Sequence, residues 1–296
     1  MSPIACFGEI LWDVLPHGTC LGGAPLNVAA HLARLGSPAQ LISRLGPDAR
    51  GLDAFARVRD MGVGMRLLQQ DFALPTGEAR AVLAADGSAK YEFETPAAWD
   101  AIEFTADLRQ QLPAARALVF GTLAQRDARS RETLWQCIRL ADYRVLDVNL
   151  RLPHHDADIT RASLREADFV KLNEEECGIV GAWLGTTAEP DALRAALERL
   201  RMTRTAHPLQ LCITRGAEGA LLWADGQWHA QPAVPVAVVD TVGAGDAFLA
   251  MLLAQRLRGV GPPQALARAA ALGGFVASRA GAVPDYDPRS VIPGLP

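Results

Sequence analysis

The sequence predicts an α/β protein with a mainly parallel sheet covered by helices on both faces. Two observations carry this. Short apolar runs alternate with stretches of helical periodicity along almost the whole chain. Gly closes several of those helical stretches, as helix ends require. A third observation adds a small β unit: two segments with Asp-Gly turns interrupt the βα series.

In chain order, IACFG (4–8) reads as a buried strand, and LWDVLPHGTCLGG (11–23) follows it as a short segment outside the βα pattern. APLNVAAHLARLG (24–36) is helical and stops at Gly36. AQLISRLG (39–46) is a strand and LDAFARVRDMG (52–62) a helix ending in glycine. GEARAVLAADGSAKYEFE (77–94) has strand-like arms around an Asp-Gly turn, so it reads as a hairpin projecting as a flap. Strands are expected at 116–124, 144–150, 168–173 and 209–216, separated by helices near 128–141, 160–166, 174–181 and 190–202. GALLWADGQWHAQ (219–231) is a second hairpin, around Asp225-Gly226.

Composition narrows the function. The chain has 296 residues, half of them hydrophobic, which suits one large α/β domain or two small ones, with one domain and a small lid preferred. The net charge of -4 and pI near 5.9 offer no general attraction to nucleic acid or anionic membrane. No apolar run approaches the ~20 residues of a spanning helix, and MSPIACFGEI lacks the features of a secretory signal. A cytoplasmic protein is expected. Five scattered cysteines form no CxxC pair, which argues against a zinc cluster or a disulfide framework. Lys90 and Lys171 are the only lysines, so cationic side-chain contacts to phosphate fall mainly to arginine.

DTVGAGDAFLAMLLAQ (240–255) is the most informative stretch. Gly243, Ala244 and Gly245 leave room for an anion to approach the bare amides of a helix N-terminus, and Asp246 adds a carboxylate there. The helix that follows is apolar around most of its circumference, which implies burial. The helix end is expected to lower the pKa of Asp246 and keep it ionised. A tight turn capped by an ordinary aspartate gives the same pattern in isolation. The first strand is not followed by GxGxxG, and GxxxxGK[ST] is absent.

GGAPLNVAAHLARLG (22–36), RLGPDARG (44–51), DVNLR (147–151), KLNEEE (171–176), ITRGAEGA (213–220) and DTVGAGDAF (240–248) together resemble the ribokinase-like sugar kinases, most closely the bacterial fructokinases. The resemblance runs from FGEILWDV to RAGAVP. It implies a doubly wound three-layer α/β/α sandwich, a single domain over 1–296, with a small β lid formed by segments near 11–21 and 66–98. It implies transfer of the ATP γ-phosphoryl group to a sugar hydroxyl. Asp246 would be the base, and the amides of Gly243, Ala244, Gly245 and Asp246 the anion hole. Asp13, Gly22, Gly23 and Asn27 would hold the sugar; Arg151, at the end of a predicted strand, is a candidate contact to sugar or phosphate, and Gln125 and Arg126, after the strand ending at Leu123, are weaker sugar contacts. Asn173, Thr214, Arg215 and Gly216 would lie along the nucleotide. Glu176 would serve Mg²⁺ through water, and Asp240, Val242 and Gly281 a K⁺ site. Many relatives carry an asparagine near adenine where this chain has alanine, around Ala270. A homodimer through the lid is also implied.

Tyr91, Phe93 and Trp99 are candidates to cover the sugar, or to pack the lid. The GGAPLN form of the first motif favours fructose. Another sugar or sugar-acid kinase of the same fold, for 2-keto-3-deoxygluconate, ribose or a nucleoside, is the alternative. A non-catalytic sugar or nucleotide sensor should show a damaged GAGD loop, and the loop is intact. A nicotinamide-dependent enzyme lacks its fingerprint.

Overall fold

A computed structural model describes residues 2–15, 18–83, 89–201, 206–292 and 294–295. The Asp86-Gly87 turn lies outside them, as does the side chain of Tyr91.

The βα alternation folds into one nine-stranded sheet. Its strands are β1 (Ile4–Phe7), β4 (Ala39–Leu45), β5 (Leu68–Gln70), β8 (Ala117–Phe120), β9 (Arg144–Asp147), β10 (Phe169–Asn173), β11 (Gln210–Thr214), β12 (Ala220–Ala224) and β13 (Gln227–Gln231). The spatial order is β13-β12-β11-β10-β9-β8-β1-β4-β5. Strands β5 to β11 are parallel, and the β12–β13 hairpin closes one edge antiparallel. Asp225 and Gly226, with φ 54 and 79, make its turn.

Alternate residues of each strand feed two cores, as the pleat dictates. Ile4 and Cys6 of β1 face one core, and Ala5 and Phe7 face the other. The first core receives α1 (Ala24–Arg34), α2 (Ala49–Asp60), α8 (Ala244–Leu257) and α9 (Pro262–Ala277). The second receives α3 (Ala106–Gln111), α4 (Ala128–Leu140), α5 (Ala157–Glu166), α6 (Glu174–Trp183) and α7 (Pro190–Leu200). This is the expected three-layer sandwich. Helix α8, read from sequence as buried, is buried continuously from Ala247 to Gln255. Among the described residues no helix is long and apolar enough to cross a membrane.

A separate four-stranded sheet stands over the strand ends. It comprises β2 (Leu11–Leu15), β3 (Gly18–Gly22), β6 (Gly77–Leu83) and β7 (Ala89–Phe93) in the order β3-β2-β6-β7. The segment 66–98, expected in a lid, is not all in this sheet. Leu68–Gln70 extends the large sheet beside β4, because its backbone pairs in register with Ser43–Leu45. Trp99 also leaves the lid. It is buried in the second core, with the Arg126 guanidinium 3.9 Å from its ring centre. It therefore packs the scaffold and does not cover a ligand. Phe93 packs partly buried against the same core, edge-on to His154.

Candidate active site

The chain runs from β1 outward through β4 and β5, then returns to β8 on the other side of β1. Such a reversal opens a crevice at the carboxyl ends of the strands. Here the crevice is lined by Glu9, Ala24, Gly121, Thr122, Asp147 and Asn149.

The β2–β3 hairpin brings Asp13 opposite Cys20 and Leu11 opposite Gly22. A Cβ on Gly22 would overlap Asp13 Oδ2, so a larger residue there would displace the Asp13 carboxylate. Gly23 caps α1 with φ 112, and a Cβ on it would strike the Glu9 carbonyl. The chain thus passes tightly from lid to helix. The cap supplies no side chain, and the Ala24 amide donates instead to Glu9 Oε1 at 3.3 Å. One turn into α1, Asn27 is 5% exposed and donates from Nδ2 to Asp246 Oδ2 at 2.8 Å. Its Oδ1 is buried without a partner among the described residues.

Gly243 caps α8 in a left-handed conformation, φ 76, with no side chain bonded to the helix end. It lies so close to Ala282 that a Cβ would overlap that residue's backbone and methyl group. Of the first-turn amides of α8, that of Ala244 donates to Thr241 O at 3.3 Å, and the glycine cap leaves this helix end without a capping side chain. Beneath the turn, Lys171 Nζ lies 2.9 Å from both oxygens of Asp147, and both side chains are buried. A Cβ on Gly245 would sit 3.5 Å from the same ammonium.

The charges are unevenly balanced. Burial pushes Asp246 up to about 6, reinforced by Asp147 and opposed by Asn27, Lys171 and Arg151. This corrects the expectation of a lowered value: desolvation and a neighbouring carboxylate outweigh the helix end. Burial likewise raises Asp13 to about 6 and Glu9 to about 7, with Arg151 acting against it in both. For Lys171 burial works downward, but Asp147, Glu176 and Asp246 outweigh it and the pKa is raised. Arg151 is exposed, and its charge reaches Glu9, Asp13 and Asp246. Asn149 turns the chain there with φ 42, a conformation asparagine tolerates.

Asn173 and Thr214 are register partners at the ends of β10 and β11, and Arg215 and Gly216 continue from there. Asn173 Oδ1 caps α6 by accepting from the Glu176 amide at 2.8 Å. Glu176 is buried; its oxygens accept from the amides of Leu150 at 2.7 Å and Asn173 at 2.9 Å. It thereby holds the DVNLR strand end against α6. Asp240 accepts from Val242 N at 3.0 Å and Gly281 N at 3.1 Å, so these three residues come together. Ala270 lies on α9, partly buried against the first core.

Gln125 departs from its expected sugar contact. It is fully buried, and its amide is held by Gly121 O and Ser163 Oγ within the second core's wall. Arg126 makes a bidentate pair with Asp100, 2.7 Å for each bond, in the same wall. Sequence reasoning missed Glu9, the Asp147–Lys171 pairing and His31. Glu9 gave one faint signal: an acid directly after a fully apolar strand.

A family model described as pfkB family carbohydrate kinase matches residues 18–288. A fructokinase of Klebsiella pneumoniae is 31% identical over 83% of this chain and 82% of its own. An aminoimidazole riboside kinase of Salmonella typhimurium is 31% identical over 86% of this chain and 80% of its own. The crystal structure of a Xylella fastidiosa fructokinase with bound ATP superimposes with a TM-score of 0.84 at 26% identity, covering 98% of this chain and 95% of that one.

Proposed function

This chain belongs to the pfkB family of carbohydrate kinases, and on that premise we propose that it transfers the γ-phosphoryl group of ATP to a hydroxyl of fructose. The hydrogen bond from Asn27 to Asp246 carries this reading. It joins a helix that begins at the crevice to a carboxylate set at an open helix N-terminus. The unpartnered Asn27 Oδ1 beside it is an acceptor in want of a hydroxyl.

Asp246 orients the attacking sugar hydroxyl and takes its proton as oxygen bonds to the γ-phosphorus. The bond from that phosphorus to the β–γ bridging oxygen breaks, and ADP leaves. The amides of Gly243, Ala244, Gly245 and Asp246 receive the charge on the moving group. Asp13 and Asn27 hold neighbouring sugar hydroxyls, with Gly22 and Gly23 allowing close backbone approach. Arg151 faces sugar and phosphate at the mouth. Asn173, Thr214, Arg215 and Gly216 follow the nucleotide. The lid excludes water, which would otherwise compete for the phosphoryl group.

Among the described residues no three carboxylates converge to hold a metal, so Mg²⁺ would be held mainly by the nucleotide phosphates and water, with the acidic groups around Lys171 nearby. Glu176 would act through water. When bound, the ion neutralises the β- and γ-phosphate charge. A K⁺ ion fits beside Asp240, the Val242 carbonyl and the Gly281 loop, which Asp240 already draws together. The chain works in the cytoplasm, as one compact domain, and pairs through its lid into a homodimer.

ADP release from Mg-ATP, measured with fructose, ribose, glucose, 2-keto-3-deoxygluconate, fructose 6-phosphate and aminoimidazole riboside, tests the proposal. Fructose should give the highest kcat/KM. Preference for the riboside would move the acceptor and keep the mechanism, and turnover with none would overturn it.

A further inference from the structure

Asn27, His31 and Arg34 lie at i, i+4 and i+7 of α1, so they share one face of the helix. Asn27 reaches Asp246, as above, while His31 and Arg34 reach the 282–286 segment. His31 is fully buried, with Nε2 at 2.9 Å from Ala282 O and Nδ1 at 2.8 Å from the Tyr286 hydroxyl. Arg34 Nη1 donates to Pro284 O at 2.9 Å and to Asp285 Oδ1 at 2.8 Å.

Ala282 is the residue against which Gly243 is packed without room for a Cβ. Its carbonyl can only accept, so His31 Nε2 carries the proton and Nδ1 accepts from Tyr286. Burial lowers the His31 pKa to about 4, which keeps this neutral, one-donor one-acceptor form at ordinary pH. Tyr286 stacks on the imidazole with ring centres 5.8 Å apart, and Phe275 packs edge-on against Tyr286. A buried histidine with both ring nitrogens engaged has fixed orientation. Through it the backbone at 282 is tied to the sugar helix.

We propose that His31 is a positioning residue for phosphoryl transfer: by holding Ala282 it fixes the Gly243 turn against α1, so that the sugar helix and the anion loop keep one geometry. This rests on the reading that the Gly243–Asp246 amides stabilise the moving phosphoryl group. Asn27 and His31 then work from the same rigid rod. One sets the carboxylate relative to the sugar, and the other sets the amides relative to both.

The test compares His31→Leu with His31→Gln, whose amide nitrogen can still donate toward the Ala282 carbonyl. Hydrogen exchange of the ligand-free protein is measured first, because it requires no substrate. Leucine should speed exchange of the Ala247 amide, which donates to the Gly243 carbonyl at 2.9 Å, about tenfold, and glutamine should restore much of the protection. Turnover is then measured with whichever panel sugar the unsubstituted protein phosphorylates best. Leucine should lower kcat about tenfold with the sugar KM changed less than about threefold, and glutamine should recover most of the loss.

Unchanged exchange at the Ala247 amide overturns the proposal. So does a kcat within about twofold of the parent, or glutamine behaving no better than leucine, which would reduce His31 to a space-filling residue. If the parent phosphorylates no sugar in the panel, the fructokinase reading fails separately, and the exchange data still decide the role of His31.

Discussion

Lys171 and Asp147 form a buried ion pair in which the ammonium lies 2.9 Å from both carboxylate oxygens, immediately behind Gly245. The pair places an ammonium, balanced by Asp147, under the Gly243–Asp246 loop, without placing a lysine in the loop itself. Removing one partner leaves the other charged and desolvated. Lys171→Met should destabilise the fold by about 3–5 kcal/mol in urea unfolding. Replacing both residues by apolar ones should recover stability but leave kcat depressed, since the charge under the loop is gone.

Asp246→Asn should lower kcat by roughly 10²–10⁴ while ATP still binds, because the amide keeps the shape and removes the base. ADP release with fructose, alongside ATP binding by calorimetry, checks this. Near-normal turnover would end the base assignment.

The raised carboxyls predict the acid limb of the pH profile. Asp246 and Asp13 titrate at about 6 and act as carboxylates, so kcat/KM should fall as pH drops through that value. The Asn27 hydrogen bond holds Asp246 down, so Asn27→Ala should move this limb to higher pH. A limb unmoved by the substitution would show that another group titrates.

Gly243→Ala meets both a left-handed backbone and the body of Ala282. The turn must shift for the methyl to fit. A kcat loss of about 10²-fold or more is expected, with sugar binding retained in a direct binding measurement.

Asp13 trades stability for function. A carboxyl raised from 3.8 to about 6 binds its proton more tightly in the folded chain, so its contribution falls as pH rises across that interval and stays low above it. Asp13→Asn should therefore raise the ligand-free Tm at pH 8 by roughly 2–4 °C and lower kcat/KM for sugar. Thermal unfolding scans at pH 5 and 8 check the sign, since the gain should shrink at the lower pH.

Much of this was legible in sequence because it is local. Strands β1 and β8 to β11 are apolar runs, and the Gly243 turn and α8 follow directly from VGAGD and the residues after it. What escaped depends on partners far apart in the chain. Lys171 is defined by Asp147 on a neighbouring strand, and His31 by Ala282 and Tyr286 near the other terminus. Gln125 stands at a strand end, where ligands gather, but its side chain turns toward Ser163, a contact no local pattern encodes. The pKa of Asp246 was misjudged for the same reason. The helix end is visible in sequence, whereas burial and the approach of Asp147 are not.

The lid sheet has a consequence for assembly. Its central pair is parallel and joins Leu11–Val14 to Gly77–Arg80, segments separated by β3, α1, β4, α2 and β5. Closing so long a loop is slow and gains nothing until the intervening elements have condensed. The protein is thus expected to acquire its scaffold before its cover in refolding. A chain stalled between the two would hold ATP at an uncovered loop and pass its phosphoryl group to water.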